Sequence, residues 1–179
     1  CYLLEISILH TKPDMCQATQ FFYVSVVMWV TVHLLLILEC LQGLVAKQGN
    51  VTCAFLHAHL PEGEDIYINI PRGFMQYDKR GNTKVLELKC TLYGLKQSPR
   101  AFYKYMVEKL KRCGMKQSEL DPCLFISDTV IAVMYVDDML MWSTSEEDIF
   151  KLCGLLRAEG VELEEEDDAA GFLGVKLTK

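Results

Sequence analysis

Two adjacent aspartates, Asp137 and Asp138, stand between two short apolar runs, residues 130–134 and 139–142. Each run is too short for an ordinary helix and has the composition of a buried β-strand, so both are predicted to be strands. The four residues between them, 135–138, must then form a tight turn, a geometry that Asp tolerates. The sequence therefore predicts a β-hairpin that carries two carboxylates out of a hydrophobic sheet into one small space.

Two carboxylates held this close repel each other. A divalent cation relieves the repulsion, because carboxylate oxygens are the hard ligands that Mg²⁺ prefers. The hairpin thus points to a metal site for phosphoryl chemistry. An exposed hairpin with a polar turn fits the same pattern, since Asp is a common turn residue, and on the hairpin alone this plainer interpretation is favoured.

Further segments follow one another in a fixed order along the chain. They are residues 48–58 (QGNVTCAFLHA), 92–103 (LYGLKQSPRAFY), 121–125 (DPCLF), 135–138 (YVDD) and 172–175 (FLGV). In order and spacing they resemble the reverse transcriptase of copia-type LTR retrotransposons, over a stretch from about residue 20 to the last residue. The resemblance adds four ordered segments to the hairpin and overturns the plainer interpretation.

The fold expected from the element pattern is α+β, because strands and helices mix without strict βαβ alternation. The resemblance implies a polymerase palm-type antiparallel sheet with packed helices, partial fingers and no thumb. Residues 1–20 are left unassigned or taken as a degenerate fingers remnant, and residues 21–179 as the fingers and palm. Because the first residue is Cys1 rather than Met, we expect a fragment or an unusual gene model.

The activity implied by the resemblance is RNA-directed DNA polymerisation, the transfer of deoxynucleotides to a primer end with two Mg²⁺ ions. Its partners would be an RNA or DNA template-primer and deoxynucleoside triphosphates, while the oligomeric state stays open. Asp137 would be the principal metal ligand and Asp138 a secondary one. The backbone carbonyl of Val51 would complete the coordination sphere.

Other roles are carried over from the same motifs. Phe55 would be the aromatic gate that excludes a 2′-hydroxyl, although without the motif an ordinary core aromatic would be the favoured interpretation. Tyr93 and Gly94 would bind the nucleotide, and Gly94 would also let the backbone approach the template-primer closely. Cationic side chains that would meet nucleic-acid phosphates are Lys96, Arg100 and Lys104.

One position departs from the family pattern. Asn50 stands where the family has an aspartate that binds metal together with the first aspartate of the hairpin. A neutral amide cannot supply the missing charge, so we expect weakened Mg²⁺ binding and a chain that is inactive or badly impaired. We also expect Asn50 and Asp137 to approach each other in space, although they are far apart in the sequence.

The net charge of −6 looks unfavourable for a nucleic-acid-binding protein, but the charge is unevenly distributed. Residues 76–116 contain eleven Lys or Arg and three acidic residues, with aromatic residues between them, whereas residues 159–168 contain seven acidic residues and no basic one. Positive charge with aromatics suits a phosphate backbone and stacked bases. A solvated helix face fits as well, and a non-catalytic nucleic-acid-binding remnant is the main alternative function.

Residues 21–38 contain no Asp, Glu, Lys or Arg and so meet the length criterion for a membrane span. Against a span stand Ser25, Thr31, His33 and the β-branched first half. The resemblance places the second half on a palm helix that ends near Gly43. We therefore expect the segment not to form one continuous helix, and a membrane-associated protein anchored there is the less favoured alternative.

Eight cysteines are scattered without a C-x-x-C pair, which argues against zinc and for reduced thiols in an intracellular, cytoplasmic or nuclear protein. His57 and His59 lie two residues apart and would point to different faces of a helix, so a surface role is favoured over metal binding. Elsewhere we expect strands at 45–51, 66–70, 85–88, 124–127 and 172–177, and a helical turn at 52–59. Ser98 is predicted to cap one helix, with Pro99 at its first position, and Ser145 to cap another whose first turn, residues 146–148, is acidic.

Overall fold

The computed structural model describes residues 4–7, 26–61 and 63–166. In chain order its elements are β1 (Leu4–Ser7), α1 (Trp29–Gln42), β2 (Val45–Val51), a 3₁₀ turn (Ala54–His57), β3 (Tyr67–Asn69), β4 (Val85–Leu88), α2 (Ser98–Arg112), β5 (Lys116–Gln117), β6 (Leu124–Ile126), β7 (Val130–Tyr135), β8 (Asp138–Ser143), α3 (Glu146–Ala158) and β9 (Leu163–Glu166). Helices combined with antiparallel strands make an α+β fold, as the sequence predicts. The chain divides into a first unit, residues 1–23 and 55–101, and a second unit, residues 24–54 and 102–179.

The second unit is built on a six-stranded antiparallel sheet with the strand order β5-β6-β7-β8-β2-β9. Strands β7 and β8 form the predicted hairpin, and their inner positions are almost wholly buried. The apolar composition of both strands follows from this placement, because each is flanked by another strand and covered by side chains on its faces. The hairpin therefore holds its tip on a rigid support.

Helix α1 covers one face of this sheet. Val32 and Leu35 of the helix pack with Val133, Leu140 and Trp142 of the hairpin strands in one core cluster. The Trp142 indole N–H donates to the Glu39 carboxylate at 3.0 Å, so the polar edge of the buried ring is satisfied. This pair fixes the C-terminal half of α1 against β8.

The start of α1 is held by a carboxylate from a distant part of the sequence. Asp121 is buried, and its Oδ2 accepts hydrogen bonds from the Met28 backbone N–H at 3.0 Å and the Thr31 hydroxyl at 2.6 Å. Its Oδ1 accepts the Cys123 N–H at 2.9 Å. The first N–H groups of a helix lack partners within the helix and carry partial positive charge, so a buried carboxylate stabilises them. Asp121 thus caps α1.

Helix α3 covers the opposite face of the sheet with the buried residues Ile149, Leu152, Cys153 and Leu156. Ser145 is its N-cap, as predicted, although its side chain makes no capping hydrogen bond. The predicted acidic first turn, Glu146 to Asp148, is also present and favours the positive end of the helix dipole.

The first unit contains the three-stranded antiparallel sheet β1-β4-β3. Strand β1 lies in the stretch 1–20, for which the sequence assigned no element. The predicted strand 66–70 is shorter, as β3, and the helical turn at 52–59 is the 3₁₀ turn Ala54–His57. Helix α2 begins in this unit and continues into the second.

Ser98 does not act as the predicted helix cap. It is fully buried, and its hydroxyl donates to the Leu92 carbonyl at 2.6 Å, whereas the Ala101 N–H bonds to the Gln97 carbonyl. The hydroxyl therefore closes the loop before α2 instead of capping the helix. The cap prediction was wrong because the helix already includes Ser98, so the Gln97 carbonyl and not the Ser98 hydroxyl accepts the Ala101 N–H.

The apolar stretch 21–38 is not one helix in its described part. Residues 26–28 precede the helix, Met28 has extended backbone angles, and α1 begins at Trp29, which confirms the prediction. No helix in the described ranges combines the length and the apolar character that crossing a membrane requires.

The predicted strand 172–177 lies outside the described residues, while β9 occupies the start of the acidic run, where no strand was predicted.

Candidate active site at the aspartate hairpin

Asn50 lies directly opposite Asp138 in the antiparallel pair of β2 and β8. The Asn50 side-chain amide donates from Nδ2 to Asp138 Oδ1 at 3.3 Å. Directly opposed residues project from the same face of a sheet, so the sheet register itself brings the two side chains together. The contact links positions 88 residues apart in the sequence.

Asp137 lies in the turn of the hairpin, next to the end of β2. Its backbone carbonyl accepts a hydrogen bond from the Val51 N–H at 2.8 Å. Together with the Asn50–Asp138 contact, this bond confirms that position 50 comes next to the hairpin aspartates. Val51 itself is buried, and both aspartates are half-buried.

The predicted tight turn at 135–138 is present. Tyr135 and Asp138 pair as strand residues, and Val136 and Asp137 are the two loop residues between them, so the four residues make one β-turn. Val136 has a φ of 54°, a left-handed conformation that is uncommon for non-glycine residues and costly for a β-branched one. Such strain persists only where surrounding structure enforces it, and here the two fully paired strands do so.

Glu164 belongs to the same cross-strand row and was missed by the sequence analysis. It is directly opposite Asn50 on the other side of β2, so Asp138, Asn50 and Glu164 project from one face of the sheet. Strands are ~4.8 Å apart, which puts Glu164 on the order of 10 Å from Asp138 between Cα atoms. The signal for this residue was the alternation Val-Glu-Leu-Glu at 161–164.

The two predicted nucleotide-binding aromatics meet in the first unit. The rings of Phe55 and Tyr93 lie 4.5 Å apart between centroids at 54°, within the range of favourable aromatic pairs. Phe55 is buried at the start of the 3₁₀ turn, where the Thr91 hydroxyl donates to its carbonyl. Tyr93 is exposed, so one face of the pair is open to solvent.

Gly94 follows this aromatic pair with a φ of 94°. A side chain added there would meet no atom within 4 Å, so the backbone conformation and not crowding requires glycine. Lys96 is exposed in the same loop, and Arg100 is half-buried in the first turn of α2. These predicted residues share the first unit with Phe55 and Tyr93.

In the second unit, the basic residues of α2 are partly used in structure. Lys109 Nζ donates to the Glu159 carbonyl at 2.6 Å, and Arg112 contacts the Glu159 carboxylate at 3.4 Å. Burial raises the pKa of the neighbouring Tyr105 hydroxyl, and Glu159 adds to the shift. Lys104 is exposed on the same helix. Part of the basic stretch therefore holds α2 to the end of α3.

His57 and His59, which the sequence assigns to the surface, lie in different local structures. His57 ends the 3₁₀ turn, whereas His59 pairs across to Cys90, with 3.8 Å between His59 Nδ1 and the Cys90 sulfur. Within the described ranges no group of three or more His, Cys, Asp or Glu side chains is arranged to hold a metal ion.

Comparison with known proteins decides the family. A model of the family described as reverse transcriptase (RNA-dependent DNA polymerase) matches residues 17–179. The chain belongs to the reverse transcriptase family. This finding confirms the resemblance to copia-type elements, because the similar proteins are polyproteins of plant and yeast transposons.

A retrovirus-related Pol polyprotein from transposon TNT 1-94 of Nicotiana tabacum is 31% identical over 159 residues, covering 86% of this chain and 12% of that protein. The Pol polyprotein from transposon RE1 of Arabidopsis thaliana is 37% identical over 99 residues, covering 53% of this chain and 6% of that protein. The transposon Ty1-GR3 Gag-Pol polyprotein of Saccharomyces cerevisiae is 32% identical over 137 residues, covering 73% of this chain and 7% of that protein. The chain thus corresponds to the reverse transcriptase region of much longer polyproteins.

Reverse transcriptases use divalent metal ions, so the donor set at the hairpin can be tested against that need. Asp137 and Asp138 supply two carboxylates, but the third side chain is the neutral amide of Asn50, already bonded to Asp138. Glu164 lies two strands away from Asp138. Two Mg²⁺ ions require anionic oxygens that bridge them, so the donor set does not fit the pair of ions.

Proposed function

We propose that this chain is the polymerase palm of a copia-type reverse transcriptase whose nucleotidyl-transfer activity is strongly impaired. Its substrates by family membership are an RNA or DNA template-primer and deoxynucleoside triphosphates. The observation that carries the proposal is the contact between the Asn50 amide and the Asp138 carboxylate, at the position where the family resemblance implies a metal-binding aspartate. The hairpin keeps its geometry there while the site loses a charge.

The electrostatic argument is direct. A bridging carboxylate stabilises a divalent ion through its full negative charge, whereas an amide offers only a dipole. Here the amide also donates to Asp138, and that donation satisfies a carboxylate oxygen which a cation would otherwise attract. Metal affinity is therefore low, and the positioning of a triphosphate that depends on bound metal is lost with it.

Nucleic-acid binding is retained in this proposal. The exposed cations Lys96 and Lys104, together with Arg100, would contact phosphates, and the exposed ring of Tyr93 would stack on a base.

The six cysteines within the described ranges are all free, which supports a reducing cytoplasmic or nuclear location.

The proposal is tested by measuring primer extension and template binding in parallel. The purified chain is mixed with a primed template, deoxynucleoside triphosphates and Mg²⁺ or Mn²⁺, and extension is followed on a gel. Binding of the same template is measured by fluorescence anisotropy from low to high salt. We expect no detectable extension and binding that weakens steeply with salt, because counterions are released from the phosphates.

Two controls sharpen the result. Lys96→Ala combined with Lys104→Ala should weaken binding and flatten its salt dependence, whereas replacing the exposed Lys151 of α3 by Ala should not. Extension by the unmodified chain would overturn the impairment. The nucleic-acid role would be overturned if the affinity for the template did not depend on salt concentration. It would also be overturned if Lys96→Ala combined with Lys104→Ala left that affinity unchanged.

A further inference from the structure

Helix α1 presents a row of large apolar side chains to solvent on the side that faces away from the sheet. This row, the α1 stripe, has members between 51% and 76% exposed: Trp29, Val30, Leu34, Ile37 and Leu41 on the helix, and Val26 in the segment before it. Val30, Leu34, Ile37 and Leu41 follow one another at intervals of four, three and four residues, which puts them on one side of the helix. The buried side, Thr31, Val32 and Leu35, packs against the sheet.

The stripe is not explained by the fold or by the proposed polymerase site. It lies in the uncharged stretch that the sequence marks as unusual, and α1 has only 14 residues. Soluble monomers rarely expose a contiguous apolar patch of this kind without a partner. From residue 26 to Gly43, the single Asp, Glu, Lys or Arg side chain is Glu39, which is held by Trp142. The surface therefore offers an apolar partner no charge to pair with and none to repel it.

The size of the stripe matches one kind of partner. The exposed fractions correspond to on the order of 700 Å² of side-chain surface, close to the ~800 Å² that each partner contributes to a standard interface. A two-fold interface needs a patch that is complementary to itself, and a uniform apolar row without charges meets that requirement. At one end of the row the Trp29 ring lies against the His33 ring, 5.8 Å between centroids and tilted by 33°, which gives the surface an aromatic edge.

We propose that the α1 stripe is the interface of a homodimer in which two copies of this chain pack their α1 helices antiparallel across a two-fold axis. Leu34 of one copy then lies close to Ile37 of the other, near the axis. Trp29 lies towards the Leu41 end of the opposite helix. The sheet and the hairpin of each copy face away from the axis, since the stripe and the sheet lie on opposite sides of α1.

The experiment is sedimentation equilibrium of the purified chain over concentrations from about 1 to 100 μM, the range in which interfaces of this size commonly assemble. We expect a mass that rises from 20.4 kDa to twice that value. Leu34→Glu and Ile37→Glu should each weaken the dimer about 100-fold or more, because a charge is buried at the axis of both copies.

The matched control is Leu155→Glu on α3 of the same unit. Leu155 is 51% exposed and Leu34 is 55% exposed, so both changes remove a half-exposed leucine from a helix. Circular dichroism shows whether each variant is folded, and Leu34→Ser serves if Leu34→Glu does not fold. The dimer should survive Leu155→Glu unchanged.

Three results would overturn the proposal. The unmodified chain could remain a monomer up to about 100 μM, well above the Kd expected for an interface of this size. The dimer could persist in folded Leu34→Glu and Ile37→Glu variants. The chain could stay monodisperse only in detergent and bind lipid vesicles in a manner that Leu34→Glu abolishes, which would assign the stripe to a lipid surface.

Discussion

The Asn50 amide donates to the Asp138 carboxylate across β2 and β8, at 3.3 Å and in exact strand register. Replacing the amide by a carboxylate through Asn50→Asp removes this hydrogen bond and sets two like charges opposite each other. In EDTA at pH 7 the variant should be less stable than the unmodified chain by about 1–2 kcal/mol. Urea denaturation followed by Trp fluorescence measures the difference.

The control for this change is Asn69→Asp, which adds the same charge at an exposed position on β3. It should leave stability within about 0.5 kcal/mol, as is usual for surface substitutions. Adding Mn²⁺ should restore the stability of Asn50→Asp and leave that of Asn69→Asp unchanged. An Asn50→Asp variant that is as stable as the unmodified chain in EDTA would contradict the contact.

Asp121 tests whether α1 depends on its distant cap. Asp121→Ala leaves the Met28 and Cys123 N–H groups and the Thr31 hydroxyl without their acceptor in a buried place. The free energy of unfolding should fall by about 2–4 kcal/mol, measured by urea denaturation. Asp128→Ala, at an exposed turn, is the matched control and should be nearly neutral. Equal effects of the two changes would exclude the capping role.

Val136 tests the strain in the hairpin turn. Asn tolerates the left-handed conformation better than valine does, so Val136→Asn should raise the free energy of unfolding by about 0.5–1 kcal/mol. The same replacement at Val45, in the regular strand β2, should lower it. Thermal and urea denaturation of both variants check the signs. A loss of stability in Val136→Asn would show that side-chain packing at the turn outweighs the backbone strain.

The buried cysteines predict a pH dependence. Burial raises the pKa of the Cys123 and Cys153 thiols to about 12, from an ordinary value of 9.0. Above pH 9 the unfolded chain therefore loses protons that the folded chain keeps, so stability should fall as pH rises from 9 towards 12. Cys123→Ala with Cys153→Ala should flatten this slope. An unchanged slope in the double variant would show that the Cys123 and Cys153 thiols do not cause this pH dependence.

The same burial predicts which thiols react. Under native conditions iodoacetamide should modify the exposed Cys40 and Cys53 and spare Cys90, Cys123 and Cys153, because only the thiolate is nucleophilic and the buried thiols stay protonated. Peptide mapping by mass spectrometry after short exposure separates the two groups. Modification of Cys123 or Cys153 at the rate of Cys40 would show that the sheet opens readily.

The hairpin could be predicted from the sequence because two short apolar runs around polar residues leave few other structures. The left-handed backbone of its turn could not be predicted, since Val136 is β-branched and its positive φ is imposed by the pairing of Tyr135 with Asp138. The pairing of the two strands thus outweighs the low propensity of valine for a left-handed turn position. The approach of Asn50 to the hairpin came from the motif order and not from any local pattern.

Two features were missed for different reasons. Strand β9 lies in a segment whose charge hid the alternation of Val161 and Leu163, which are buried, with Glu162 and Glu164, which are exposed. That signal was present in the sequence. The cap of α1 by Asp121 was not, because it joins residues 90 or more positions apart and depends on the packing of α1 under the hairpin.

The roles proposed for Asp137, Asp138 and Asn50 depend on metal affinity, so calorimetric titration of the chain with Mn²⁺ tests them most directly. We expect binding of the unmodified chain to be too weak to saturate at about 1 mM, and Asn50→Asp to bind at least about tenfold tighter, since one restored charge beside a divalent ion contributes more than about 1.4 kcal/mol. Asn69→Asp should behave like the unmodified chain. Equal Mn²⁺ affinity of the unmodified chain and Asn50→Asp would contradict the claim that the amide at position 50 disables the site.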